Sequence, residues 1–144
     1  MKYLLDTCVI SEFTKPQPHS SVIQWLQATP IQFLYLSSLT IGEIQKGISQ
    51  LDVSIRQQRL QSWLDEDIPL QFKQRILDVD EQTCRLWGQL CGQYGKQGRN
   101  LPVIDSLLAA TAISRQMVLV TRNEKDFSII AGLQLLNPWL SISN

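Results

Sequence analysis

The chain has 144 residues, with 44% hydrophobic and 18% charged, and 13 basic residues balance 13 acidic ones to a formal net charge of zero. This is the composition of a globular domain of ordinary size, and it excludes a disordered tail. It also excludes whole-molecule charge as a reason to attract an anionic partner.

The opening Lys2-Tyr3-Leu4-Leu5 is a short apolar run ending at an acid, which predicts a buried strand with Asp6 at its carboxyl edge. Asp6 or Thr7 would cap a following helix carrying Val9, Ile10 and Phe13, stopped by Pro16 and Pro18. Val22, Trp25 and Leu26 predict a second helix closed by Pro30, and Phe33-Leu34-Tyr35-Leu36 a second strand. Thr40 starts the next helix, with Ile41, Ile44 and Ile48 on one face, and Thr40-Ile41-Gly42-Glu43 fits a capping box. Ile55, Leu60, Trp63 and Leu64 predict another helix between Leu51 and Asp67, and Ile76-Leu77-Asp78-Val79 a short strand.

Asp80 would cap a helix through Cys84, Trp87, Leu90, Cys91 and Tyr94, ending in the turn-rich stretch Gly95–Asn100. Cys84 and Cys91 are two helical turns apart and predict one packed face. A helix rich in Ala and Leu runs from Asp105 to about Arg115, followed by the strand Met117–Thr121 and a weaker one at Leu133–Leu136. Short apolar strands alternating with helices predict a single α/β domain over residues 1–144 with a mainly parallel, helix-covered sheet. Ligand sites in such sheets lie beyond the carboxyl ends of the strands, so Asp6 and Thr121-Arg122-Asn123 should open onto one edge.

Three cysteines without a CxxC pair favour free thiols in a reducing compartment. No signal-peptide order begins the chain, and no run approaches the ~20 apolar residues of a membrane span. A cytoplasmic protein is expected. The only histidine, His19, sits in a Pro-rich turn, which leaves zinc and nucleophilic triads without support. Phosphate-cradling loops of the GxxxxGK[ST] or GxGxxG kind are also missing.

Asp6, Glu43 and Asp105 stand beside apolar runs with no evident cation as partner, and carboxylates so placed are costly unless something positive satisfies them. Each has a local explanation: an N-cap for Asp6, the capping box for Glu43, and the helix dipole for Asp105, worth ~0.3–1 kcal/mol. Together, three acids at helix starts on one sheet edge also suit an oxygen-only Mg²⁺ or Mn²⁺ site. Lys96, Arg99, Arg115, Arg122 and Lys125 make the last third basic, which would place a phosphate-attracting rim near those acids. Arg122 and Lys125, next to the end of the Met117–Thr121 strand, are the candidates for phosphate contacts.

Three stretches together carry a more specific signal. They are Leu5-Asp6-Thr7-Cys8-Val9-Ile10-Ser11-Glu12, Ser38-Leu39-Thr40-Ile41-Gly42-Glu43-Ile44, and the region from Leu101 to Phe127 containing Ile104-Asp105-Ser106-Leu107-Leu108 and Thr121-Arg122-Asn123-Glu124-Lys125-Asp126. In order and spacing they resemble PIN-domain ribonucleases, most closely the VapC-type toxins of toxin–antitoxin pairs. The resemblance implies a PIN-like three-layer α/β/α fold and metal-binding, catalytic roles for Asp6, Glu43 and Asp105. It further implies a Mg²⁺-dependent endoribonuclease, with Mn²⁺ as substitute, whose cleavage of RNA inhibits translation and growth. A homodimer and a VapB-like antitoxin inserting a C-terminal segment across the active site are its implied partners. Two positions depart from the family pattern: Cys8 stands where Asn is usual, and Asn123 falls where a fourth acid often does, with Asp126 three residues later as the other choice for that position. These departures motivate the alternative of a non-catalytic PIN-like module for protein interaction or RNA binding. A phosphoacceptor receiver domain is disfavoured, because it would want an acidic pair after the first strand, and serines follow the second one.

Overall fold

The structure, a computed structural model, describes residues 1–140. Its strands are β1 (Tyr3–Leu5), β2 (Leu34–Ser37), β3 (Ile76–Leu77), β4 (Val118–Val120) and β5 (Leu135–Leu136). They form one sheet in the order β3-β2-β1-β4-β5, with every pair parallel. The alternation of strand side chains divides the core into two layers. Leu5, Leu34, Leu36 and Val120 face one side, packing with Val9, Ile10, Val22, Ile44, Ile48, Leu64 and Phe72. Leu4 and Leu119 face the other, against Leu90, Tyr94, Leu108, Ala109, Ala112 and Phe127. Helices thus cover both faces, giving the expected α/β/α sandwich.

The first side carries α1 (Thr7–Ile10), which tightens into a 3₁₀ turn over Ser11–Thr14, then α2 (Ser20–Ala28) and α3 (Ser38–Ser49). That tightening changes the helical phase after Ile10, so Phe13 turns outward and is 48% exposed instead of joining the core. The next helix begins as α4 (Ile55–Ser62), passes through a π turn at Trp63–Asp67 and ends as α5 (Ile68–Gln71). Pro69 has no N–H to give the carbonyl four residues back, and just before it the Ile68 N–H reaches the Trp63 carbonyl, five residues back. Ile55, at the first position of α4, lies outside the buried face and is 70% exposed.

On the other side, α6 (Glu81–Lys96) packs on α7 (Val103–Ser114). Asp80 caps α6 as expected, its Oδ1 accepting the Thr83 N–H at 2.8 Å. The buried face of α6 runs through Thr83, Leu90 and Tyr94, which leaves Cys84 exposed and only Cys91 partly covered. The two thiols therefore do not share a packed face. A short α8 (Glu124–Phe127) follows β4. Trp25 meets Tyr3 edge-on at 5.1 Å, and Trp87 donates its indole N–H to Ser106 Oγ at 2.9 Å, so both serve the interior. No helix among the described residues is long and apolar enough to cross a membrane.

Candidate active site

From β1 the chain builds outward to β2 and β3 on one side, then to β4 and β5 on the other. The sheet order therefore reverses between β1 and β4. A crevice opens beyond the carboxyl ends of strands at such a point. Asp6 directly follows β1 there, and Thr121 directly follows β4.

Asp6 is 6% exposed, and its carboxylate is held from both sides. Oδ1 accepts the Thr7 N–H at 2.7 Å, the capping bond of α1, while Oδ2 accepts the Thr121 hydroxyl at 2.8 Å. The Asp6 N–H in turn donates to the Val120 carbonyl at 2.9 Å. Thr121 is itself fixed by its N–H on the Leu136 carbonyl, and its Oγ1 accepts the Asn123 N–H at 3.0 Å. Asp6 is thus both helix cap and crevice carboxylate.

Glu43 lies in the second turn of α3. Ser37 caps that helix, its Oγ accepting the Leu39 N–H at 3.1 Å, so Thr40 already stands inside the first turn. The expected capping box does not form, because Ser37 takes the N-cap position itself. Glu43 instead crosses to α1, where its Oε1 accepts the Thr7 hydroxyl at 2.6 Å. The role suggested by local sequence is thereby replaced by one that turns this carboxylate towards Asp6.

Asp105 occupies the first turn of α7 and is half-buried. Burial pushes its carboxyl above the usual range, and the negative fields of Asp6, Glu43 and Asp126 push it further. The fold therefore brings all four acids into one electrostatic neighbourhood. Asp126 reaches it from α8, whereas Asn123 sits at the start of that helix and makes no capping bond with its side chain. Ion pairs among the described residues use Glu12, Glu81 and Asp80, and none uses these four acids. Arg115 belongs to one of those pairs, with Asp80 at 3.3 Å, and so leaves the basic rim to others. Arg122 and Lys125 are exposed beside the edge.

Among the described residues, no three His, Cys, Asp or Glu side chains stand in a ready-made metal-ligand cluster. Hydroxyls hold two of the carboxylates instead, Thr121 on Asp6 and Thr7 on Glu43. The donor chemistry still suits a hard cation: the groups are oxygen-only, negatively charged, and include a carboxyl that burial and its neighbours discourage from ionising.

Cys8 borders the same site. Burial pushes its thiol up to about 11, and Asp6 adds to the shift. It stays protonated at neutral pH and donates weakly to Asp6 Oδ2 at 3.6 Å. The two threonines are the members that sequence reasoning passed over. Each stands within two residues of a strand's carboxyl end, but that position alone does not mark it in sequence. A cleft of about 650 Å³ leads away from Glu43, lined also by Lys46, Gln50 and Ile104, the neighbour of Asp105.

Comparison with known proteins bears on family and fold. The family model described as PIN domain matches residues 3–133. The chain is 32% identical over 136 residues to VapC ribonuclease Y4jK of Sinorhizobium fredii, covering 94% of this chain and 96% of that one. It is equally 32% identical over 136 residues to Toxin FitB of Neisseria gonorrhoeae, covering 94% and 97%. A solved structure of FitAB bound to an IR36 DNA fragment superposes with a TM-score of 0.89 at 31% identity, over 99% of each chain.

Proposed function

Because the chain belongs to the PIN-domain family, within which it groups with the VapC-type toxins, we propose that it is a Mg²⁺-dependent endoribonuclease that hydrolyses RNA phosphodiester bonds to inhibit translation and growth. The observation that carries this reading is the gathering of Asp6, Glu43, Asp105 and Asp126 at the β1/β4 crevice, with no Lys or Arg paired to them among the described residues. Asp6 and Asp105 would hold the cation, and Glu43 would join them directly or through a water. Asn123 or Asp126 would fill a fourth position. Mn²⁺, with similar oxygen preferences, would substitute.

A bound Mg²⁺ supplies a water of lowered pKa and neutralises charge growing on the phosphate oxygens. The protein's own part is orientation. Thr121 and the Thr7 N–H hold the Asp6 carboxylate by both oxygens, and the Thr7 hydroxyl turns Glu43 towards it. Arg122 and Lys125 would draw the phosphate backbone to the edge and offset repulsion between RNA and the acids.

A growth-arresting ribonuclease needs a restraint. In this reading it is a VapB-like antitoxin, with a homodimer of the toxin as the working form. The similarity to Toxin FitB and to the FitAB assembly supports such a partner. Sequencing RNA 5′ ends after brief induction tests the activity, with the Asp6→Asn variant as control. Discrete new ends that need Asp6 are expected. No new ends, or the same ends from the variant, would overturn the proposal.

A further inference from the structure

One cluster beside the crevice enters the scheme above only through Arg122. The Arg122 guanidinium lies over the Trp139 ring, 5.5 Å from its centroid, and the His19 ring sits 6.5 Å from the same indole at a 49° tilt. The three residues come from three separate segments: the end of β4, the stretch after β5, and the start of α2. Because β4 and β5 are parallel neighbours, Arg122 and Trp139 both emerge at the carboxyl edge. Arg122 is next to Thr121, which holds Asp6.

Trp139 and His19 are braced from behind. Trp139 packs on the core layer beneath α1 and α2, and its N–H donates to Asn137 Oδ1 at 3.0 Å. The Asn137 amide donates to Glu124 Oε2 at 3.3 Å. The His19 N–H donates to Glu12 Oε1 at 2.8 Å, and Glu12 is a buried carboxylate paired with Lys15. Glu12, which the cleavage scheme does not use, thereby fixes where His19 stands. Arg122 makes no ion pair among the described residues, and it is exposed.

We propose that Arg122, Trp139 and His19 form a seat for an unpaired nucleotide of single-stranded RNA next to the phosphate being cut. This rests on the ribonuclease reading and adds to it a site for the flanking base. Unpaired bases are recognised by stacking on aromatic side chains and guanidinium planes. A guanidinium lying over an indole keeps its in-plane N–H groups free for a phosphate. The seat thus offers stacking surface and phosphate donors within one residue of the group that holds Asp6. In a chain of zero net charge, a local seat of this kind is how RNA would be oriented over acids that repel it.

Fluorescence anisotropy of a labelled, unstructured 12-nucleotide RNA of mixed sequence tests the seat, using the full chain with Ca²⁺ in place of Mg²⁺ to avoid cleavage. Trp139→Leu should weaken binding about tenfold, while Trp139→Phe, which keeps a stacking face, recovers most of it. Arg122→Gln should weaken binding and lower the slope of log affinity against log salt by about 0.7, the loss of one phosphate contact to a single strand. A structural role for Arg122, shielding the indole, would not move that slope. His19 is exposed, so His19→Ala, which the seat predicts to weaken binding several-fold and a plain phosphate contact by Arg122 does not, carries the test if Trp139→Leu fails to fold. Wild-type RNA binding with an unchanged slope in Arg122→Gln overturns the seat and leaves the ribonuclease reading intact. A wild-type protein that binds no RNA overturns both.

Discussion

Thr121 carries more of the site than its size suggests, because its hydroxyl is one of the few groups satisfying the nearly buried Asp6 carboxylate. Thr121→Val keeps the shape and removes the donor. A buried charged acceptor that loses such a bond costs about 1–3 kcal/mol, so the variant should unfold at correspondingly lower denaturant, while Thr121→Ser stays close to wild type. Asp105 should behave in the opposite sense. Its carboxyl is raised by burial and by three neighbouring acids, so as a folded-state group it favours stability below the ordinary carboxylate range and loses it as pH rises. Asp105→Asn should therefore raise the melting temperature of the metal-free protein at neutral pH while abolishing cleavage, and Mg²⁺ should stabilise the wild type more than the variant. Glu12 reports a third sign. Burial works to raise its carboxyl, but Lys15 and the His19 N–H outweigh this and hold it below its ordinary value of 4.5. Its contribution is complete above that value and drains away as pH falls through the depressed one, so thermal melts of wild type and Glu12→Gln should differ at neutral pH and converge only in acid, below the depressed value.

At the scale of elements, the site depends on where α3 begins. With Ser37 as its cap, Glu43 falls on the turn that faces Thr7, and Ser37→Ala should cost about 0.5–2 kcal/mol in chemical denaturation, with a further loss of activity from the loosened first turn. Most of the elements were legible in sequence because apolar periodicity announces them: β1, α2, α6 with its Asp80 cap, and α7 arise where the pattern places them. The misses share one cause, which is that local rules were overtaken by the fold. Thr40 and Glu43 fit a capping box, yet Ser37 lies one residue before the helix and takes that role. Phe13 continues an apolar spacing, but the 3₁₀ turn after Ile10 carries it outward. Cys84 and Cys91 are correctly spaced for one face, but that face is already set by Thr83, Leu90 and Tyr94.

Across the whole molecule, the sheet order decides the chemistry. Reversal between β1 and β4 brings together residues separated by more than one hundred positions, and the 2.8 Å bond between Thr121 and Asp6 is its clearest product. The acids themselves could be read from sequence, because a carboxylate after an apolar run is conspicuous. Their supporting hydroxyls could not, since a threonine next to a strand says nothing until the strand across the crevice is known. The same holds for Trp139, whose partners His19 and Arg122 lie far from it in sequence. The central claim is that these acids hold a divalent cation for RNA cleavage, and the initial rate of cleavage of purified RNA across a Mg²⁺ titration tests it most directly, with wild type and Asp105→Asn side by side. The wild-type rate should rise to saturation with Mg²⁺ and vanish in chelator, and the variant should be slower by at least about 100-fold, the loss of roughly 2.7 kcal/mol of transition-state stabilisation. Cleavage that persists in chelator, or a variant that cuts RNA at the wild-type rate, would contradict it.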